Sequence, residues 1–160
     1  MLARMTTRAF EQELADFFQS ELALRAAKGI RDGAVVEIVV DGTPFFFVKK
    51  KGQGKVQKHR PGEPEVTFWV PPKTLSQVLG LSGAPGTSLG TMGVFLFEAI
   101  LSVDMERKVK FKVRASVLTL WLRGYFSVLK AGGPEVASYL AKIGFSSIGQ
   151  IKEMVQKIRG

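Results

Sequence analysis

The stretch AVVEIVVDGTPFFFVKK, Ala34 to Lys50, decides the fold class. Ala34 to Val40 is rich in β-branched residues, which suit a pleated, half-buried backbone, and Pro44 to Lys50 continues as an aromatic strand. Asp41-Gly42 between them supplies two residues that tolerate positive φ, as a two-residue hairpin turn requires. The consecutive rings Phe45, Phe46 and Phe47 must point to both faces of that hairpin, because side chains alternate along a strand. Phe68 and Trp69 do the same further on. Either a second layer covers the far face, or an apolar surface is left for a ligand or partner.

Upstream, Phe10, Leu14, Phe17, Phe18 and Leu22 recur at helical spacing after a Thr7 cap, and Gly29 supplies a stop. Downstream, Lys51 to Gly54 turns the chain into a short strand, Lys55 to His59, and Pro61 to Pro64 bends it into Val66 to Val70. Pro71-Pro72 ends that strand, and Lys73 to Leu79 reads as a short helix. A glycine-rich loop, Gly80 to Gly90, precedes an apolar helix from Met92 to Leu101. RKVKFKVR, Arg107 to Arg114, returns as a strand, and Ser116 to Leu129 is apolar enough for one largely buried helix. Gly132-Gly133-Pro134 marks a boundary, after which two helical patterns follow, split by Gly144 and a capping box at Ser147 and Gln150.

These elements predict an α+β fold: an antiparallel or mixed sheet of about five strands, covered by helices on one face, with an appended C-terminal helical hairpin. The expected organisation is an α+β body over residues 1–131 and a hairpin over 134–160 packed on the same domain. With 160 residues and a hydrophobic fraction of 46%, the chain is globular and long enough for a real core.

The chain carries 23 Lys and Arg against 14 Asp and Glu, a formal charge of +9, which favours anionic partners without choosing among them. With no cysteine there is neither a disulfide framework nor a thiolate nucleophile, which suits a reducing compartment, and the cytoplasm is the expected location. The N-terminus is charged throughout, unlike a signal peptide, and no uncharged apolar run approaches the length of a membrane span.

Catalysis is disfavoured by missing parts. The single histidine, His59, lies in a polar, basic stretch without an apolar wall. Glu63 and Glu65 flank Pro64 among basic residues and read as local charge balance, and Glu98 shares a polar helical stripe with Thr91 and Ser102. No metal-ligand spacing, P-loop or dinucleotide fingerprint is present, so neither a metal nor a cofactor is expected.

In RKVKFKVR a period of two puts Val109, Phe111 and Val113 on one face and Lys108, Lys110, Lys112 and Arg114 on the other. Lys49, Lys50, Lys51, Lys55 and Lys58 form a second basic group near the hairpin end. These rows are first of all solvated faces, and they also suit peripheral docking to anionic membrane or an acidic partner. The alternative is a nucleic-acid-binding or protein-interaction module that uses the sheet lysines and the C-terminal helices, its nucleic-acid form weakened because the strand's one ring, Phe111, falls on the apolar face rather than beside the cations. Leu140 to Ile151 resembles a helix-hairpin-helix element but lacks the second glycine of its turn, so a packing hairpin is favoured over a phosphate-binding one.

The hairpin at Val36 to Val48, the strand and short helix at Glu65 to Val70 and Thr74 to Gly80, the apolar helix, and the strand at Lys108 to Val113 occur in an order that resembles the sterol carrier protein type-two family, over about Phe10 to Lys130. That resemblance implies a helix-covered sheet with an apolar cavity that holds lipid, sterol, fatty acyl or quinone-like molecules without chemistry of its own. The glycine-rich loop and the helices after Gly133 depart from the family pattern and would close the cavity or fill it. The residues expected to line such a cavity are Phe46, Phe68, Phe95, Ile100, Met105, Phe111, Leu118 and Leu122, with Met92 and Met105 as adaptable walls.

Overall fold

The structure is a computed structural model that describes residues 2–131 and 133–142. Helix α1 (Leu2–Gln19) and α2 (Glu21–Ala27) lead into β1 (Val35–Val40), β2 (Thr43–Lys50), β3 (Gln53–Gln57) and β4 (Val66–Trp69). Then follow α3 (Pro72–Gly83), α4 (Leu89–Leu101), β5 (Lys110–Val113), α5 (Val117–Leu122), α6 (Tyr125–Ala131) and α7 (Gly133–Lys142). The sheet is open and mixed, in the order β3-β2-β1-β4-β5, with β1 and β4 parallel and the other pairs antiparallel.

The hairpin forms where the local chemistry demands it. Asp41 and Gly42 both have positive φ, 50° and 79°, the signature of a type I′ turn, and Ile38 pairs with Phe45 across it. Lys51 and Gly52 repeat the device with φ of 50° and 76°. Because that turn needs only two residues, β3 starts at Gln53 rather than at Lys55 as the sequence suggests.

Cross-strand pairing puts Val36, Ile38, Phe45, Phe47, Val66, Phe68, Phe111 and Val113 on one face. Leu14 of α1 and Leu75 of α3 pack there, and Leu120 of α5 joins Val66 and Val113. The opposite face carries Glu37, Phe46, Thr67 and Lys112. Phe46 is buried as fully as its two neighbours, so the three rings belong to the interior on both sides of the sheet.

Three helical expectations change, each for a local reason. The first helix breaks at Ser20, whose hydroxyl donates to the Phe17 carbonyl (2.6 Å) and accepts from the Ala23 N–H (3.3 Å), starting α2. The segment 116–129 divides into α5 and α6 at Gly124, which has φ of 84°. A Cβ there would collide with the Gly29 carbonyl oxygen, so close backbone contact excludes a side chain at this break. The expected loop 80–90 shrinks, because Gly80 and Gly83 extend α3 and Gly90 belongs to α4.

Helix α4 does not lie on the sheet. Its Met92 packs with Leu22 of α2 and Val78 of α3, forming a second helical layer that also takes in Phe95 and Leu96. Gly90 and Gly93 let α7 approach, since a Cβ on Gly93 would lie 2.6 Å from Val136 Cγ2. Glu135 of α7 then accepts from Ser88 Oγ (2.9 Å) and Thr91 Oγ1 (3.1 Å) at the start of α4. The second helix of the expected C-terminal hairpin, the capping box at Ser147, and most of the Leu140–Ile151 element lie outside the described residues.

Candidate functional site

The end of the sheet where β1 begins gathers the candidate site. There α2 delivers Ala27 and Lys28, the segment Ile30–Asp32 enters β1, β2 ends at Lys50, and α6 starts after Arg123. The Arg31 N–H donates to the Arg123 carbonyl (2.9 Å) and the Gly33 N–H to the Lys49 carbonyl (2.8 Å), which joins these pieces.

Between them lies a half-open groove of about 500 Å³. Its floor is Phe18 and Phe47, stacked with ring centroids 4.5 Å apart and planes inclined by 28°. Leu24, Ala27 and Ile30 form an apolar wall, and Lys28, Arg31 and Asp32 stand on the rim. Gly54 is required on the β3 side, because a Cβ there would overlap the Phe47 ring. A second concavity of about 390 Å³ shares Arg31 and Asp32 with the first and adds Thr119, Leu122 and Arg123.

Below the rim sits a buried polar node. Glu65 Oε1 accepts from the Val35 N–H (3.1 Å) and the Tyr125 hydroxyl (3.0 Å), while Oε2 faces Arg123 Nε at 3.3 Å. Arg123 Nη1 also donates to the Asp32 carbonyl (2.7 Å), so the node fixes the strip that both concavities share. Burial, and then the neighbouring Glu65 charge and hydrogen bond, push the Tyr125 hydroxyl pKa far above the usual tyrosine range. Glu65 therefore differs from Glu63, which pairs with Arg60 on the surface at 3.0 Å.

The residues expected to line one cavity are spread over several places. Phe68 and Phe111 do meet, with centroids 6.1 Å apart, on the helix-covered face. Phe46 is buried on the opposite face, and Phe95 packs in the outer helical layer. Ile100 sits near the end of α4, where its carbonyl accepts from Lys108 Nζ (2.7 Å). Met105, Leu118 and Leu122 are exposed, and of the eight only Leu122 lines either concavity. α5 is too peripheral to bury more than one side, so the largely buried helix expected there instead shows Leu118, Trp121 and Leu122 to solvent.

The expected cationic contacts divide likewise. Lys49 is only 7% exposed and donates its ammonium to the Ala27 carbonyl (2.8 Å), which withdraws it from any surface and makes it a strut of the groove. Lys50, Lys51 and Lys55 are exposed near the groove end. Lys108 precedes the strand and caps α4 instead of extending the basic row, and Arg114 Nε donates to Thr67 Oγ1 (2.8 Å). Lys110 and Lys112 remain exposed, with Trp69 directly opposite Lys110 on the same face. Reading the strand alone missed that ring, because its partner strand lies about forty residues earlier.

No family profile matches the sequence, and no curated protein does. Among solved structures the chain is similar to one described as "UbiJ-SCP2 Ubiquinone synthesis protein", at 13% identity and a TM-score of 0.43. The match covers 82% of this chain and 99% of that one. No described helix is long and apolar enough to cross a membrane.

Proposed function

We propose that the protein binds a hydrophobic molecule of lipid, sterol, fatty acyl or quinone-like type in the groove at the start of β1 and carries it without catalysing a reaction. The observation that supports this most directly is the floor of stacked Phe18 and Phe47 beneath an apolar wall, with Lys28 and Arg31 exposed at the rim and the Lys49 ammonium held by the Ala27 carbonyl. An apolar chain or ring system lying on those rings leaves water, while a polar head stays near Lys28 and Arg31. The groove is open along one side, so a ligand enters without unfolding any element.

Organic extraction and mass spectrometry of the freshly purified protein test the reading, with Ala27→Trp prepared alongside to fill the groove. The expected result is a lipid or quinone-like molecule at near-stoichiometric amount in the parent and its loss in the variant. A clean parent protein that also takes up no such molecule when offered one would overturn it.

One observation favours a second reading, a nucleic-acid-binding module: Trp69 stands beside Lys110 and Lys112 on one exposed face, the combination that holds a base and its phosphates. Single-stranded oligonucleotide titrations across a salt series test it. Affinity that falls steeply with salt and drops with Trp69→Ala supports it, and no binding at low salt removes it.

A further inference from the structure

Four of the large apolar side chains left on the surface belong to α5 and to the groove wall, with Leu122 lining the second concavity and Leu24 the groove itself. Leu118, Trp121 and Leu122 are 67%, 48% and 59% exposed and, at spacings of three and four, share one side of α5. The fourth is Leu24, on the far wall and 49% exposed. The same end carries exposed cations from separate elements: Lys28 after α2, Arg31 before β1, and Lys50 and Lys51 at the β2–β3 turn. Two carboxylates lie there, one on the surface and one buried. Asp32 Oδ1 accepts from the Gly52 N–H (2.9 Å), and Glu65 is buried in its node.

We propose that this end of the molecule docks on an anionic phospholipid bilayer, with the exposed side of α5 entering the headgroup region beside the groove mouth. The charge pattern selects that occupant. Cations around a protruding apolar stripe suit phosphate headgroups around inserted side chains, and tryptophan is enriched at such a boundary because its ring is amphipathic. The opposite end of the sheet has exposed apolar residues as well, Trp69, Val103 and Met105, but there Asp104 and Glu106 are interleaved with them and offset the charge of the neighbouring Lys110 and Lys112. Docking through α5 turns the groove towards the membrane, so an apolar ligand moves between bilayer and groove with little exposure to water. Docking rests on the groove reading only for what passes through the mouth, and vesicle binding tests it apart from any cargo.

The two tryptophans stand at opposite ends of the sheet and report separately. Trp69→Phe leaves Trp121 as the sole reporter, and Trp121→Phe leaves Trp69. Each protein is titrated with vesicles of equal parts phosphatidylcholine and phosphatidylglycerol carrying brominated acyl chains, and with phosphatidylcholine vesicles alone. The expected result is a blue shift and bromine quenching of Trp121 on the anionic vesicles, weaker on the neutral ones, with Trp69 unchanged. Lys50→Gln with Lys51→Asn, the asparagine chosen for the positive φ at residue 51, should weaken partitioning by about fivefold for each lysine removed, with an unchanged circular dichroism spectrum. Quenching of Trp69 alone places the contact at the other end and overturns the proposal, as does the absence of any vesicle binding. A Trp121 blue shift that grows with protein concentration without vesicles makes the face a self-association surface and overturns it equally.

Discussion

Replacing Glu65 with alanine should be among the most costly single changes in the body of this protein. The carboxylate is the acceptor for the Val35 N–H at 3.1 Å and the Tyr125 hydroxyl at 3.0 Å, and it faces Arg123 Nε at 3.3 Å. Truncation orphans two interior donors, each at about 1–3 kcal/mol. Arg123 is partly exposed and regains water, so the ion pair adds only about 0–1 kcal/mol. The expected loss is about 2–7 kcal/mol for Glu65→Ala. Glu65→Gln keeps one oxygen acceptor and should lose about 1–2 kcal/mol, and Arg123→Ala about 1 kcal/mol. Urea denaturation followed by circular dichroism measures all three, and a cycle with Tyr125→Phe isolates the tyrosine's share. If Glu65→Ala costs no more than Arg123→Ala, the two donors are not buried in solution and the node does not anchor the groove.

Tyr125 makes the protein alkali-sensitive. Its folded-state pKa is raised above the ordinary value of 10.0, so the folded form keeps a proton that the unfolded form gives up, and stability falls as pH rises above about 10. The contribution of one such group is at most about 1.4 kcal/mol per pH unit, and because the unfolded tyrosine is half ionised at pH 10, Tyr125→Phe should flatten the decline between pH 10 and 11 by about 1 kcal/mol in urea titrations. In the α4–α7 contact, Gly93→Ala places a methyl against Val136 and should loosen α7, seen as faster amide exchange there, while adding Val136→Ala should restore protection. Gly80→Ala, in a helix with open space around the new methyl, should stabilise by about 0.5–1 kcal/mol. Gly124→Ala, at positive φ and against the Gly29 carbonyl, should destabilise by about 3 kcal/mol or more; thermal melts of the pair distinguish them.

Much of the body was legible before any tertiary information. The Asp41-Gly42 hairpin is encoded by two adjacent residues whose backbone preference is intrinsic, and the structure forms it in the expected place. The α+β class and a sheet of about five strands followed from similar local signals, whereas the choice between an antiparallel and a mixed sheet was left open, because it depends on the parallel pairing of β1 with β4, two strands distant in sequence. The breaks at Ser20 and Gly124 were not legible, because apolar spacing runs through both and only a cap and a close backbone contact interrupt it. The glycines around α4 looked like a loop because small residues mark loops and tight helix contacts alike, and only the approach of α7 separates the two.

The candidate site was least legible. Glu63 and Glu65 are near twins in sequence, two residues apart on either side of a proline, yet one is solvated and the other buried under Tyr125, sixty positions away. Lys49 and Lys50 are identical neighbours, but strand alternation sends one ammonium inward to the Ala27 carbonyl and leaves the other in water. The sequence by itself determined which residues prefer strand, turn or helix, and that rings would point to both faces of the sheet, because those properties reside in individual residues and their nearest neighbours. Where a groove opens and which cations surround it was decided only by the tertiary structure, because Phe18, Phe47, Arg31 and Leu122 come from four separate segments and meet through the packing of helices on the sheet.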